Sequence, residues 1–270
     1  MFEGIVIPTV LIIINLILIL SLIKTQKKLI AEQNDFRNEV KKSFQESSRL
    51  FNAEIKRVNE VSVQQIESLF SIFFTLEPKL PLPTTRGWAA SPDLLKEIIS
   101  LTHRKKPQLV VEASSGVSTL IIAYCLKKLG SGKLISLEHD QKFAHATQNT
   151  LSLHGLDDIA TVIHAPLVEF EINNSKWLWY DLTKVELPSA IDMLIVDGPP
   201  GTTQKLARYP AIPLMQEKLN SDAIIVLDDG ARPDERKIVE QWMEEFKMSH
   251  SEYIELEKGA YFIYKTATSE

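Results

Sequence analysis

An uncharged apolar run near the N-terminus limits the folds open to this chain more than any other feature of its sequence. Residues 5–23 contain no charged side chain, and only Thr9, Asn15 and Ser21 are polar. A helix of this length spans about 28 Å, close to the hydrocarbon thickness of a bilayer. A cleaved signal peptide would begin with basic residues and end at a small-residue cleavage site, and neither is present. Residues 1–23 are therefore expected to form a retained transmembrane anchor.

The charges beside this run predict its orientation. Lys24, Lys27 and Lys28 follow it, whereas Glu3 is the one charged residue before it. By the positive-inside rule, the C-terminal domain then lies in the cytoplasm. A single cysteine, Cys125, agrees with a reducing compartment. The expectation is a single-pass membrane protein.

Residues 24–77 are predicted to form a long helix, because they contain neither Gly nor Pro and their apolar residues recur at helical spacings. Two interpretations stay open. The helix is either a coiled coil that forms a homodimer, or a spacer whose last turns, around residues 69–74, pack on the domain that follows. The apolar positions are Phe36, Val40, Phe44, Phe51, Ile55, Val58, Ile66, Leu69 and Phe73.

Residues 78–270 alternate between strand-like and helical segments, which is typical of a doubly wound α/β sheet. Ligands of such sheets bind at the carboxyl ends of the strands. The predicted strands are 108–112, 133–138, 159–164, 191–197 and 223–228. The predicted helices are 91–103, 116–129, 140–153 and 234–246, and a hairpin of residues 253–256 and 261–264 closes the domain.

Four of the five predicted strands end in acidic residues, at Glu112, Glu138, Asp197 and the pair Asp228–Asp229. Clustered carboxylates repel one another, so their convergence on one sheet edge calls for a cationic partner or a chemical role. The net charge of −5 disfavours nucleic-acid binding. One cysteine excludes an intramolecular disulfide and a cysteine-rich zinc site.

The first strand–helix turn reads Glu112-Ala-Ser-Ser-Gly116, and the second strand ends at Glu138. A glycine- or serine-rich turn lets a ligand approach the backbone, and a carboxylate about 25 residues later suits a ribose diol. These features indicate an adenosine-type cofactor. The glycine fingerprint of nicotinamide enzymes and the phosphate loop of nucleotidases are absent. Glu112 would repel a diphosphate and instead suits a cofactor that carries positive charge.

Five runs resemble class I S-adenosylmethionine-dependent methyltransferases: VVEASSGVSTL, LISLEHD, IDMLIVDGPPG, RYPA and IIVLDDGARPDE. The similarity is greatest to the small branch whose members share a strand ending in Asp-Gly-Pro-Pro-Gly. It implies a Rossmann-like seven-stranded sheet with an antiparallel last strand, and S-adenosylmethionine as the cofactor.

The resemblance also implies roles for individual residues. Glu138 would hold the ribose hydroxyls, Ala165 would lie near the adenine, and Asp197 would sit beside the methyl group and handle the acceptor's proton. Ser114 replaces a glycine of the family pattern, and a serine fits there if its φ is negative. The loop around the methionine part and the sulfonium would comprise Glu112, Ala113, Ser114, Ser115, Gly116 and Ser118.

Asp197, Asp228 and Asp229 match positions that hold Mg²⁺ in the similar catechol-type O-methyltransferases, so a metal site is one expectation. Pro200 stands where those enzymes supply a lysine base. The alternative is that Asp228 and Asp229 orient loop backbone and pair with Arg232 or Arg236.

The acceptor side of the site is less defined. Arg208 and Arg232 either bind an acidic acceptor or pair internally. Trp88 and the cluster Trp177-Leu-Trp179-Tyr180 form either an apolar acceptor wall or part of the core. The function expected is methyl transfer to a hydroxyl of a small or membrane-associated acceptor, such as a glycan or lipid-linked intermediate. A catalytically inactive membrane scaffold that acts through its helix is the alternative, and a nicotinamide-dependent oxidoreductase is a third.

Overall fold

The computed structural model describes the backbone of residues 3–246 and 248–265, and side chains from residue 10 onward. The predicted anchor (1–23) and C-terminal domain (78–270) therefore include some residues, 1–2, 247 and 266–270, that lie outside the described part. The chain divides into two compact units, Met1–Glu60 and Val61–Glu270.

Helix α1 extends from Glu3 to Leu76 without interruption. The side chains described between residues 10 and 23 are all exposed. Within the described residues, α1 is the one helix long and apolar enough to cross a membrane, and its most apolar stretch has a mean hydropathy of 1.9. A helical stretch that is apolar on every face, with its described side chains exposed, is typical of a segment that lipid or a partner covers.

The last turns of α1, which belong to the second unit, pack on that unit. The buried positions are Gln65, Ser68, Ile72 and Leu76, which lie on one helix face. Gln65 Oε1 accepts the backbone N–H of Asp93 at 3.1 Å. The packed face therefore differs from the predicted apolar stripe, whose members Ile66 and Phe73 stay exposed.

Seven strands form one sheet in the order β3-β2-β1-β6-β7-β9-β8. Neighbouring strands from β3 to β7 are parallel, and β9 runs antiparallel to both β7 and β8. This confirms the predicted Rossmann-like sheet with an antiparallel last strand. The strands of the sheet are β1 (Leu109–Ala113), β2 (Lys133–Glu138), β3 (Ala160–His164), β6 (Ile191–Val196), β7 (Leu219–Asp228), β8 (Met248–Ile254) and β9 (Ala260–Lys265).

Helices cover both faces of this sheet. Successive residues of β1 point to opposite faces, so Val110 joins one apolar core and Val111 the other. The first core contains α2 and α3, and the second contains Trp242 of α6. The helices after α1 are α2 (Pro92–Lys105), α3 (Val117–Leu129), α4 (Gln141–Leu153), α5 (Ala211–Met215) and α6 (Pro233–Glu245).

One element is absent from the sequence-based prediction. Strands β4 (Leu167–Ile172) and β5 (Ser175–Tyr180) pair antiparallel as a separate hairpin. Their turn is Asn173–Asn174, with φ of 51° and 57°. Asparagine tolerates this left-handed conformation, and such two-residue turns connect hairpins, so the Asn-Asn pair was the available signal.

The closing hairpin is also longer than predicted. β8 begins at Met248 rather than at Tyr253. The prediction missed the residues before Tyr253 because they are mostly polar and lack the alternation of a half-buried strand.

Candidate active site

A cavity of about 540 Å³ opens at the carboxyl edge of the parallel strands. It brings together the turn after β1, the end of β2 and the end of β6. Its lining includes Ser114, Ser115, Gly116, Ser118, Glu138 and Asp197 from the predicted site. The other predicted cofactor residues, Glu112, Ala113 and Ala165, are buried and do not line it.

Glu112 lies beneath the turn and has no exposed surface. Its Oε2 accepts the hydroxyls of Thr119 at 2.5 Å and Ser136 at 2.8 Å. Oε1 has no hydrogen-bond partner among the described residues. Burial is the main cause that raises the pKa of Glu112 to about 7, against the opposing effect of the Ser118, Thr119 and Ser136 side chains. A buried carboxylate with an unpaired oxygen can bind a cationic group of a ligand.

Ser114 has a φ of +88°, so the condition under which a serine fits this position without strain is not met. The backbone turns here so that Ser114 N–H donates to the Leu137 carbonyl at 2.9 Å. A non-glycine residue in this region costs on the order of 1–3 kcal/mol. Strain stored at a position lining the cavity is consistent with a functional turn, and glycine would relieve it.

Gly116 precedes helix α3, and its N–H donates to Thr119 Oγ1 at 2.9 Å. A Cβ at position 116 would meet no protein atom within 4 Å. Because Gly116 lines the cavity, an added side chain would project into space that a ligand can use. Packing of the protein therefore does not require glycine at position 116. Close approach of a ligand to the backbone does require it.

Gly198 serves packing instead. A Cβ at this position would collide with the Tyr180 hydroxyl. Tyr180 comes from the β4–β5 hairpin and is fully buried, and no described residue bonds its hydroxyl. The glycine after Asp197 thus makes room for the buried Tyr180 hydroxyl and for the side chain of Ser114.

Glu138 lies at the end of β2 with 3% of its surface exposed. Its Oε2 accepts Ser115 N–H at 3.0 Å and Ser115 Oγ at 3.1 Å, and its Oε1 accepts Asp140 N–H at 3.1 Å. His139 Nδ1 is 2.9 Å from Oε1. Burial acts to raise the pKa of Glu138, but His139 and the two backbone N–H groups outweigh it and lower the pKa. Glu138 is therefore an ionised acceptor at neutral pH, suited to hydroxyl donors.

Asp197, Asp228 and Asp229 come together at the ends of β6 and β7. One carboxylate oxygen from each lies within 4.8 Å of the others. Asp197 is 18% exposed and reaches the cavity, whereas the other two side chains are almost fully buried. Burial, and next the charge of Asp228, raise the pKa of Asp197 well above its usual range.

Arg208 lies inside this cluster and is 3% exposed. Its Nη2 is 2.7 Å from Asp229 Oδ2 and 3.2 Å from Asp197 Oδ1. The same nitrogen donates to the Asp197 carbonyl at 2.7 Å, and Nη1 donates to the Asp228 carbonyl at 2.8 Å. Arg208 therefore pairs internally, which was one of its two predicted roles.

The donor set does not fit a bound Mg²⁺. The ion would have to share Asp197 and Asp229 with the guanidinium that already contacts both. Arg232 Nη1 also lies 2.8 Å from Asp229 Oδ2, and Lys258 Nζ is 3.9 Å from Asp229 Oδ1. The alternative prediction, pairing of the aspartates with Arg232 or Arg236, is confirmed for Arg232, and Arg208 and Lys258 also lie beside them.

The aromatic residues divide between core and cavity. Trp179 and Tyr180 are fully buried, so that part of the cluster belongs to the core. Trp88 is 85% exposed and lines the cavity, and Phe143 of α4 does the same. Trp88 and Phe143 are thus the two aromatic residues in the cavity lining.

Sequence reasoning missed two charged residues of the site. Lys258 precedes β9 and extends toward Asp228 and Asp229, and buried Glu235 lies 3.8 Å from Arg208 Nη1. Neither position carries a local signal, because each reaches the cluster only through the pairing of β9 with β7 and the docking of α6.

Comparison with known proteins agrees with this geometry. Residues 113–230 match the family model described as "Methyltransferase domain". Among curated proteins, none matches the sequence.

Solved structures share the fold at low sequence identity. A methyltransferase from Podospora anserina bound to S-adenosylhomocysteine is 17% identical, with a TM-score of 0.54 over 77% of this chain and 94% of that chain. The O-methyltransferase TomG from Streptomyces achromogenes, in complex with S-adenosylmethionine, is 16% identical, with a TM-score of 0.51 over 74% of this chain and 89% of that one. The second unit of the chain therefore has the fold of the class I methyltransferases, and residues 113–230 within it match a methyltransferase domain.

Proposed function

We propose that this chain catalyses S-adenosylmethionine-dependent methyl transfer to a hydroxyl group. The observation that carries the proposal is the cavity at the carboxyl edge, where the β1–α3 turn, Glu138 and Asp197 meet. The match of residues 113–230 to a methyltransferase domain supports the reaction class. The hydroxyl acceptor is suggested by the similar solved structure named as an O-methyltransferase.

The residues around the cavity fit this cofactor. Glu112 lies beneath the turn and outside the cavity lining, so its unpaired Oε1 would meet the amino group of the methionine part only if the turn shifts when the cofactor binds, and this shift is part of the proposal. Gly116 leaves room for a ligand beside its backbone. Glu138 can accept from the ribose hydroxyls once Ser115 Oγ or His139 yields one of its contacts. Ala165, buried behind Glu138, would lie near the adenine only through its backbone.

S-adenosylmethionine supplies a methyl group on a positively charged sulfur. As the acceptor oxygen bonds to that carbon, the carbon–sulfur bond breaks and its electron pair stays on sulfur. The acceptor must then lose its hydroxyl proton, and Asp197 is the carboxylate of the cluster placed to take it. Its raised pKa makes it a stronger proton acceptor than an ordinary aspartate. The rest of the site aligns the reactants.

Binding of S-adenosylhomocysteine to the full chain in detergent, measured by calorimetry, tests the proposal. We expect micromolar affinity at one site per chain. Glu138→Ala should weaken binding by about 1–3 kcal/mol, the cost of losing charged hydrogen bonds. Glu240→Ala, on the exposed face of α6, is the control and should leave binding unchanged. Absence of binding in folded protein would refute the enzyme and favour the inactive membrane scaffold.

We further propose that residues 5–23 anchor the chain in a membrane, with the second unit in the cytoplasm. The exposed side chains of residues 10–23, the absence of charge over residues 5–23 and the lysines that follow support this arrangement. An anchored enzyme encounters acceptors at the membrane surface, so a glycan or lipid-linked hydroxyl is the acceptor class that we propose.

The part of α1 within the first unit is also proposed to pair with a second copy. Exposed Leu29, Val40 and Phe51 repeat every eleven residues, and so do Phe44 and Ile55. An eleven-residue repeat keeps apolar side chains on one seam of a right-handed supercoil. Two copies anchored in the same membrane would align their helices in parallel and in register.

Cysteine crosslinking in native membranes tests this pairing. Val40→Cys and Phe44→Cys should form disulfide-linked dimers on mild oxidation, because both positions lie on the seam. Lys42→Cys points away from the seam and is the matched control; crosslinking as efficient as at position 40 would contradict the pairing.

Washing the same membranes with alkaline carbonate tests the anchor, since the chain should stay in the pellet.

A further inference from the structure

The acidic cluster at the site already contains a cation. Arg208 is almost fully buried, and its Nη2 lies within 3.2 Å of carboxylate oxygens from both Asp197 and Asp229. Its Nη1 donates to the main-chain carbonyl of Asp228. The three carboxylates are close enough together to ligate one divalent ion. The guanidinium, however, already contacts the carboxylates of two of the three, Asp197 and Asp229.

We propose that Arg208 takes the place of a divalent cation in this cluster, so that methyl transfer by this chain does not depend on a metal ion. Only the statement about methyl transfer rests on the proposed function. Occupation of the cluster by Arg208 is a property of the protein that can be tested without any turnover.

The charges around the cluster support the substitution. Arg208, Arg232 and Lys258 face Asp197, Asp228, Asp229 and Glu235, so three basic side chains nearly neutralise four acidic ones. Mg²⁺ requires near-octahedral coordination by oxygen ligands. Here Asp229 Oδ2 already binds two guanidinium groups, and Asp228 Oδ1 accepts the Asp229 N–H at 2.6 Å. An added dication would meet repulsion from Arg208 at close range.

Arg208 also holds Asp197 in place. Nη2 contacts the Asp197 side chain and donates to its main-chain carbonyl at 2.7 Å. Because a guanidinium is planar and carries several donors in a fixed arrangement, one side chain can satisfy the ends of both β6 and β7. Arg208 is therefore a positioning residue that acts through Asp197, and the buried network around it replaces the orienting function of a metal.

Mn²⁺ binding, followed by the loss of the free-ion signal in electron paramagnetic resonance, tests the proposal on the full chain in detergent. The wild-type protein should show no stoichiometric site at about 1 mM Mn²⁺, the weak end of the affinity range of divalent-cation sites built from oxygen ligands. Arg208→Ala should gain one Mn²⁺ site. Its affinity should be at least about tenfold tighter than the wild-type limit, because three carboxylates are then left without their central cation. Arg236→Ala removes an exposed arginine of α6 and should gain none.

Two results would overturn the proposal. The first is a tight Mn²⁺ site in the wild-type protein that Asp229→Asn abolishes. The second is a folded Arg208→Ala protein that binds no more Mn²⁺ than wild type. If Arg208→Ala does not fold, the wild-type titration still decides.

Arg208→Lys separates positioning from simple charge. A lysine keeps the positive charge but lacks the planar fork that joins Asp197 to Asp229. We expect the variant to bind no Mn²⁺. We also expect the pH profile of methyl transfer to shift, because Asp197 is placed differently. An unchanged pH profile and turnover would contradict the positioning role. The Mn²⁺ titration alone would then test whether Arg208 takes the place of a divalent cation.

Discussion

Replacing Asp197 with Asn is expected to lower methyl transfer by about 10²–10⁴-fold, the range for loss of a general base. Binding of S-adenosylhomocysteine should change little, because Glu112, Glu138 and the β1–α3 turn make the proposed cofactor contacts. Single-turnover rates and calorimetric affinities, measured on the same preparation, check the two expectations. Asn keeps the size of the side chain, so cavity shape is preserved.

The pH dependence sharpens this prediction. Burial and the neighbouring Asp228 raise the pKa of Asp197, so the carboxylate loses its proton at a higher pH than an ordinary aspartate. A base works only when ionised, and turnover should therefore rise with pH through an apparent pKa well above the usual aspartate range. The Asn variant should lose this rising limb.

Asp158→Asn is the matched control for Asp197, since Asp158 is exposed at the opposite edge of the sheet, just before β3. It should retain both the rate and the pH profile. Wild-type turnover in Asp197→Asn would show that Asp197 is not the base. The acceptor would then lose its proton directly to water.

Replacing Glu112 with Gln is expected to stabilise the free protein at alkaline pH and to weaken cofactor binding. Burial raises the pKa of Glu112 from its usual value of 4.5 to about 7, so the folded state favours the protonated form. The stability that this group contributes is present below pH 4.5 and is lost as pH rises through 7. A glutamine does not ionise and does not incur this loss.

The size of the effect follows from linkage. A shift from 4.5 to about 7 in a fully buried group corresponds to roughly 3 kcal/mol above pH 8. The gain in unfolding free energy of Glu112→Gln over wild type should therefore be roughly 2–3 kcal/mol larger at pH 8 than at pH 5. Urea unfolding of the full chain in detergent at both pH values measures it, with Glu240→Gln as the control.

Cofactor binding should move in the opposite direction. The unpaired Oε1 of Glu112 is the proposed partner of the cofactor's amino group, and a charged hydrogen bond contributes about 1.5–3 kcal/mol. The affinity of Glu112→Gln for S-adenosylmethionine should fall accordingly. Wild-type affinity should also increase as pH rises toward 7, whereas that of the variant should not. A variant that gains stability but keeps full affinity would show that Glu112 does not contact the cofactor.

Much of the fold follows from local pattern. Short apolar runs that end in acidic residues predicted β1, β2, β6 and the end of β7, because a strand buried on both faces must be apolar along its length. Helix α1 was predictable from its spacing and from the absence of glycine and proline. The β4–β5 hairpin escaped prediction, since a short and only partly buried two-stranded unit carries little apolar periodicity and its Asn173–Asn174 turn is a weak signal.

For the candidate site, the sequence by itself determined which carboxylates reach the sheet edge, because a parallel sheet delivers every strand end to the same side. Only the tertiary structure decided how they are neutralised. Arg208 reaches Asp197 through the fold of the segment after β6, and Lys258, which is distant in sequence, reaches Asp228 through the pairing of β9 with β7. The local sequence does not predict that Arg208 is buried. Its burial avoids leaving three carboxylates unpaired in the interior, and that cost exists only once the chain has folded.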